Sequence, residues 1–347
     1  MAVTAGVPLE DIEFSHLDND LVDEFFFNLM HLPAQFSKRF SGKMTMGQVL
    51  EYSKRLKKRE DVAGLDEPTK KNLMDITSAN TLNGKYIIKM NNFLDHAVAT
   101  GKMEKNWLAG REIKSKEVIV KRRVFSKEEL KVIFSEKMFT EKNCYKNEYS
   151  RFWLPILSLY TGARINEVAQ LRVCDFKKET DIYYINITES EHTSVKTKSS
   201  IRKIPLHPDL VKIGFVKYCE WMSNKNEMFL FPELHGLDQL KPGEKASRAF
   251  STFFKNLGIA KETEDGKATF HSFRHTFADF LIQNYLHNTH KCALMGHSFS
   301  NTTDKQYGDG VSLQTKYEDI VKCIDLKNHS FPWNNEKYFQ TKRFPWE

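Results

Sequence analysis

The 347-residue sequence lacks the features that mark secreted, disulfide-bonded and membrane-spanning proteins. It has five cysteines, an odd number, and no CxxC pair. This argues for a reducing compartment and against a disulfide framework or a zinc ribbon. No run of 18 apolar residues occurs, and the first residues lack the basic and apolar regions of a signal peptide. We therefore predict a soluble, cytoplasmic protein.

Internal repeats and low-complexity tracts are also missing, and the excess of positive charge is moderate. Lys and Arg number 52 against 45 Asp and Glu, which gives a formal net charge of +7. Such an excess fits an anionic partner such as nucleic acid, although many proteins reach it without one. Hydrophobic residues make up 40% of the chain. This is enough for real cores, and the length suggests two or three domains.

The first part of the chain predicts helices and no strand. Residues 21–32 are apolar and rich in Phe, with Asp18 or Asn19 as the N-cap. Apolar positions then recur at helical spacing as far as Gly101, a C-cap signal. We assign residues 1–45 to a helical extension and residues 46–110 to a helical domain.

The following segment, residues 111–123, is basic and includes Lys121, Arg122 and Arg123. It can be a solvated linker, or a strap that lies across DNA phosphates.

A second domain is predicted over residues 124–325, followed by an irregular aromatic tail, 326–347. A capping box at Ser126 begins a helix, and further helices are expected over residues 150–160 and 163–173. Residues 182–187 and 194–206 are expected to be extended and to form a small antiparallel sheet. The predicted fold is mainly α with a small antiparallel β-sheet, of the α+β class.

One candidate motif surrounds Arg164. Gly162 permits a tight turn, and Arg164 then lies in the first turn of a helix, where free N–H groups favour an anion. Glu167 lies one turn further on and can orient Arg164. The alternative is an ordinary helix start with a surface Arg–Glu pair.

A second motif is the basic hairpin over residues 195–206. Lys196, Lys198, Arg202 and Lys203 place four cations in eight positions. Such a hairpin can follow a phosphate backbone, with a lysine at its tip that reaches into a groove and donates a proton. The alternative is a hairpin whose charged side chains are merely solvated.

A third motif is His271–His275. His271 and Arg274 are three residues apart, so one helical turn directs both to one point. His275, four residues from His271, raises the alternative of a zinc site. We discount zinc because no acidic residue lies between the two histidines, no third ligand stands out, and Arg274 would repel the cation.

His297, which follows Gly296, and Tyr307 complete the set. Their order, with Arg164, Lys196 and His271-x-x-Arg274 before them, resembles the tyrosine recombinase family of phage-integrase type. The resemblance covers residues 124–320, and the helical part before it resembles the family's SAM-like core-binding domain. One departure is Asn106-Trp107, where the family has Asn-Pro.

The resemblance implies a role for each residue. Arg164 and Arg274 would clamp the scissile phosphate, and His271 would assist proton transfer. Lys196 would protonate the leaving 5′ oxygen, with Lys198 as a close rival because hairpin lengths vary. His297 would bind the phosphate, and Glu167 would support the site. Tyr307 would attack to form a 3′-phosphotyrosine. Tyr317 is a rival nucleophile, but it lies too far beyond His297. The DNA contacts expected outside the catalytic set are Lys121, Arg122, Arg123, Lys198 and Arg202.

The resemblance also implies partners and alternatives. We expect a site-specific recombinase that acts on double-stranded DNA as a homotetramer, without metal or cofactor, and with accessory DNA-bending or directionality proteins as further partners. The tail after about residue 320 would pack into a neighbouring protomer, and residues 1–45 are too short for an arm-binding domain. The alternatives are an Xer-like resolvase, a catalytically inactive DNA-binding regulator and a type IB topoisomerase.

Overall fold

The computed structural model describes residues 13–14, 17–60, 62–114, 123–141, 148–236, 241–259, 262–263, 266–298, 310–326, 331–335 and 338. The chain divides into two compact units, residues 1–119 and 120–347. The division falls inside the basic segment 111–123. Within the described residues, no helix combines the length and apolar character needed to cross a bilayer.

The first unit is helical. Several of its helices begin at a residue whose side chain caps the helix: the Asp18 carboxylate accepts the backbone N–H of Leu21 at 2.8 Å, and Thr45 and Gln48 form a capping box. Its helices are α1 (Asn19–Leu29), α2 (Phe36–Phe40), α3 (Met46–Lys57), α4 (Glu67–Met74), α5 (Ala79–Thr81), the π-helical turn Leu82–Ile87 and α6 (Ile88–Ala99).

The main core of this unit joins α1 to the later helices. Val22 and Leu29 are buried in one cluster with Leu82, Leu94 and Leu108. The predicted boundary at residue 45 is therefore not a break in packing, because the apolar face of α1 is covered by the helices that follow it.

The second unit surrounds a small sheet with helices, which confirms the predicted fold class. Its helices are α7 (Lys127–Phe134), α8 (Lys137–Thr140), α9 (Tyr149–Thr161), α10 (Ile165–Ala169), α11 (Pro208–Ile213), α12 (Phe215–Asn224), α13 (Pro242–Asn256), α14 (His271–Gln283), α15 (Asn288–Met295) and α16 (Leu313–Cys323). Short 3₁₀ turns lie at Val173–Asp175, Lys198–Ser200, Pro232–Leu234 and Pro332–Asn334.

The main sheet is antiparallel, in the order β1 (Phe176–Glu179), β2 (Ile182–Ile187) and β3 (Arg202–Pro205). A two-stranded ribbon, β4 (Glu262–Thr263) and β5 (Gly266–Lys267), precedes α14. Strand β1 was not predicted, because its last three residues are exposed and polar and show no alternation.

Two predicted elements are shorter than expected. The helix over 163–173 is only Ile165–Ala169, because the chain turns at Arg172, whose backbone and guanidinium both donate to Asp175. The extended segment 194–206 pairs only over Arg202–Pro205, since Lys198–Ser200 forms a 3₁₀ turn.

The first part of the aromatic tail corrects a prediction, whereas residues 339–347 lie outside the described residues. We expected it to be too irregular for a core element and to keep its apolar residues for a partner. Phe331 and Trp333 are instead buried in this unit's own core, 3% and 2% exposed. Trp333 donates its indole N–H to Tyr160 at 3.2 Å, and its ring lies edge-on to Phe134. Two large side chains buried this way contribute about 1.5–3 kcal/mol each.

Candidate active site

Arg164 is positioned by a sharp turn at the end of α9. Gly162 ends that helix in the left-handed conformation, with φ +63°. A Cβ at Gly162 would lie 2.3 Å from Cδ1 of Phe277, so only glycine allows α14 to approach here. The chain then enters α10 with Arg164 as its N-cap. The turn therefore places Arg164 beside the helix that carries His271 and Arg274.

Glu167 is the buried acceptor that holds Arg164 in place. Its side chain is 3% exposed, and it accepts the backbone N–H of Arg164 at 2.9 Å and Nη1 of the same residue at 2.7 Å. Its other partner is Arg202, whose Nη2 donates at 3.0 Å. Burial alone would raise the pKa of Glu167. The charge and hydrogen bonds of Arg202, followed by those of Arg164, outweigh burial and leave this pKa lowered.

Arg274 is buried and bound to the same turn. Its Nη1 donates to the carbonyl of Gly162 at 2.6 Å, and its Nη2 donates to the carbonyl of Met295 at 2.6 Å and to Nε2 of His297 at 2.8 Å. Desolvation, and then the charges of Arg164 and Arg202, lower its pKa to about 9. Arg274 is therefore still a cation at pH 7. We call Arg164, Arg202 and Arg274 together with Glu167 the guanidinium cluster.

His297 follows the end of α15 and is neutral. Desolvation, with the charges of Arg274, Arg164 and Arg202, lowers its pKa to about 4 although the residue as a whole is exposed. A guanidinium can only donate, so Nε2 of His297 is the acceptor and Nδ1 carries the proton. The imidazole can therefore donate through Nδ1 to a further oxygen.

Lys196 lies in the same cleft as Arg164. Both residues line a cavity of about 450 Å³, together with Lys241 and Gly243. Gln170 fixes the start of the hairpin tip, residues 188–201 between β2 and β3, by exchanging two hydrogen bonds with the backbone of Ser194 at 2.7 and 3.1 Å. Lys198 is exposed on the 3₁₀ turn and does not line this cavity.

Ser200 ties the far side of the hairpin tip to the cluster. It is fully buried, and its hydroxyl accepts Nη1 of Arg164 at 3.2 Å. The neighbouring Ser199 bonds to Ser298 at 3.3 Å, which links the hairpin tip to the loop after His297.

His271 is the first residue of α14, one turn before Arg274. Its ring lies 4.9 Å from that of His275, at 81° between planes. Across the described ranges, no three His, Cys, Asp or Glu side chains are grouped so as to hold a metal ion.

Arg202 corrects a second prediction. We expected it to contact DNA, but its side chain is 3% exposed and its three nitrogens are bonded to Glu167 and to the carbonyls of Ser200 and Leu294. Arg123 likewise donates to both carboxylate oxygens of Glu129 at 2.6 Å, although its side chain remains partly exposed. Tyr307, Lys121 and Arg122 lie outside the described residues.

Ser200, Gln170 and Lys241 were missed by the sequence reasoning. No local signal distinguishes Ser200 or Gln170, because their partners are 36 and 24 residues away in the chain. Lys241, next to Pro242 at the start of α13, carries only an ordinary helix-start pattern.

The arrangement can bind and polarise an anion. A guanidinium has five N–H donors. Within the described residues, Arg164 has no hydrogen-bond acceptor for its Nε and Nη2 groups. Arg274 has none for its Nε–H and for one of the two hydrogens on Nη1. Such fixed planar donors suit a phosphate, whose non-bridging oxygens gain negative charge as a nucleophile attacks the phosphorus.

Known proteins of similar structure were found by comparison. A lambda integrase dimer bound to a COC′ core site is 18% identical, covering 80% of this chain and 95% of that one, with a TM-score of 0.43. The integrase of the transposon Tn1549, in complex with a circular-intermediate DNA, is 17% identical, with coverages of 80% and 98% and a TM-score of 0.45. The XerH recombinase bound to its difH substrate is 17% identical, with coverages of 85% and 82% and a TM-score of 0.43.

No match was found among curated proteins. The phage integrase family model matches residues 114–310, which is more than half of the chain. The matched range contains the guanidinium cluster, Lys196, His271 and His297, together with Tyr307. The chain therefore belongs to the phage integrase family, the tyrosine recombinases.

Proposed function

We propose that this protein breaks and rejoins DNA strands at specific sites through a 3′-phosphotyrosine intermediate, in the integration or excision of a mobile element. The observation that carries the proposal is the guanidinium cluster. Arg164 is held by Glu167 and Arg274 by the carbonyl of Gly162, and both keep N–H donors for an anion.

The proposed chemistry assigns one step to each side chain. The phenol oxygen of Tyr307 attacks the phosphorus, and the bond from phosphorus to the 5′ oxygen breaks. Lys196 gives a proton to the leaving 5′ oxygen, and His271 takes the phenol proton. Arg164, Arg274 and the Nδ1–H of His297 stabilise the charge on the phosphoryl oxygens. A 5′-hydroxyl of another strand reverses the step and rejoins the DNA.

The position of Lys196 supports this choice over Lys198. Lys196 lines the cavity that contains Arg164, whereas Lys198 is exposed outside it. A proton donor must come within hydrogen-bond reach of the oxygen it protonates.

Family membership supports duplex DNA as the substrate and four protomers as the working assembly. The net charge of +7 agrees with an anionic partner.

The test is covalent capture on DNA. Duplexes with a randomised centre and a nick are incubated with the protein, so that a short fragment carrying the 5′-hydroxyl is lost after cleavage. We expect a protein–DNA adduct that survives denaturation and is absent with Tyr307→Phe. Tyr317→Phe is the matched control and should keep the adduct.

Retention of DNA binding with no adduct from any duplex would favour the inactive regulator and reject the enzyme. Relaxation of supercoiled plasmid without a preferred sequence would instead favour a topoisomerase.

A further inference from the structure

Arg202 connects three parts of the site that are distant in sequence. It lies on β3, where it pairs with Ile187 of β2. Its Nε donates to the carbonyl of Leu294 at 2.8 Å, its Nη1 to the carbonyl of Ser200 at 2.7 Å, and its Nη2 to Glu167 at 3.0 Å. These bonds join the end of α15, the hairpin tip and α10 to one buried guanidinium.

The end of α15 is held by two arginines. The last carbonyls of a helix have no partner inside it and attract cations. Here Leu294 gives its carbonyl to Arg202 and Met295 gives its carbonyl to Arg274. The loop that carries His297 therefore starts from a helix end fixed by both residues.

Gly296 is shaped around Arg202. It has φ +64°, and a Cβ at this position would lie 2.7 Å from Nη1 of Arg202 and 3.0 Å from its Cζ. The guanidinium of Arg202 therefore packs directly against the Gly296–His297 turn. Any larger residue at 296 would displace either the turn or Arg202.

We propose that Arg202 is a positioning residue of the active site, which holds the Lys196 hairpin, the Glu167 partner of Arg164 and the His297 turn in one geometry. It does so without touching the DNA. This inference rests on the proposed strand-transfer function.

The charge of Arg202 affects a measurable quantity, the pKa of His297. The groups that act on His297 are Arg274, Arg164 and Arg202, which lower its pKa, and Glu167, which raises it. Removing only the charge of Arg202 must therefore raise the pKa of His297. The loss of a structural contact elsewhere in the unit would not have this effect.

The test uses two substitutions and one control in the full chain. Arg202→Met removes the charge and the three bonds, whereas Arg202→Lys keeps the charge but cannot reproduce the planar fork. Arg172→Met is the control, since Arg172 makes a comparable arginine–carboxylate pair with Asp175 away from the cluster.

We expect covalent capture to fall about 100-fold with Arg202→Met, because catalysis is sensitive to displacements on the order of 1 Å. Arg202→Lys should lose capture about tenfold, a smaller displacement of the same kind. Affinity for DNA should stay within about threefold for both, because many other phosphate contacts supply it. Arg172→Met should lower stability and leave capture per folded molecule unchanged.

Titration of the His297 imidazole by NMR, assigned with His297→Asn, provides the second readout. We expect the pKa to rise in Arg202→Met and to stay near its wild-type value in Arg202→Lys and Arg172→Met. An unchanged pKa in Arg202→Met would overturn the inference. So would a loss of capture that only follows the loss of folded protein. Failure of the wild-type protein to form any adduct would count against the proposed function. The His297 titration would still test independently whether Arg202 positions the His297 turn.

Discussion

The guanidinium cluster and the hairpin tip carry the same sign of charge but are built differently. Arg202 and Arg274 are buried, and each is held by three bonds to fixed acceptors. Lys196 is exposed at the end of a long connection between two strands. The difference teaches that the side chains proposed to bind the phosphate are already held by fixed acceptors of the protein, whereas the side chain of the proposed proton donor extends from a fixed hairpin into solvent.

The largest effect is expected when a buried arginine of the guanidinium cluster is replaced by lysine. Arg274→Lys retains a charge, but a single ammonium cannot reach Gly162, Met295 and a phosphate together. We expect covalent capture to fall by about 1,000-fold, the loss typical of a preorganised charge stabiliser. DNA affinity, measured by a gel-shift titration, should change little. Parallel losses of affinity and capture would show that Arg274 serves binding instead.

The hairpin tip is tested by comparing its two lysines. Lys196→Ala should slow capture by about 100-fold or more, the contribution of a general acid. Lys198→Ala is the matched control, with the same loss of charge two residues away, and should have an effect of at most a few-fold. A larger effect of Lys198→Ala would exchange the two assignments. A substrate with a 5′-bridging sulfur, whose leaving group needs no proton, should restore the rate of Lys196→Ala.

The tail offers a test of the second unit's packing. Trp333→Ala removes a buried ring and its bond to Tyr160, and should lower the free energy of unfolding by about 3–5 kcal/mol. Urea denaturation of Trp333→Ala and of the control Trp107→Ala, which lies in the first unit, measures it. Deletion of residues 326–347 should also destabilise the second unit, because it removes Phe331 and Trp333 from the core. Unaltered stability of Trp333→Ala would show that this ring does not stabilise the core.

The smallest expected effect is a pH dependence from His297. Its pKa is about 4 in the folded chain, below the ordinary value of 6.5. The unfolded chain therefore binds this proton more readily, so stability is lost as the pH falls from about 6.5 toward 4. His297→Asn should lose less stability over that range than the wild type. Equal losses would show that His297 is not desolvated by the cluster.

Sequence patterns predicted much of the local structure. The Ser126 capping box, the helix ending at Gly162 and the strand over residues 182–187 are all present. These signals act over a few residues, so they can be read along the chain. Strand β1 was not predicted, since a polar edge strand has no alternation of burial.

The motifs also indicated which residues belong together. Arg164, Glu167, Arg274 and His297 were chosen from spacing and family resemblance, and the structure brings all four into one network. Lys196 was preferred to Lys198 from the family resemblance, and the cavity that it shares with Arg164 supports that choice. The role of Tyr307 as nucleophile stays a prediction.

By itself, the sequence determined the helical character of the chain, its small antiparallel sheet and the family motifs, because these follow from short-range periodicity and residue chemistry. Only the tertiary structure decided the surroundings of individual side chains. Arg202 belongs to a run of cations that looks solvated, yet it is buried against Glu167. Trp333 belongs to a tail that looks irregular, yet it completes a core. Burial depends on residues far away in the chain, and no local pattern of charge or hydrophobicity records them.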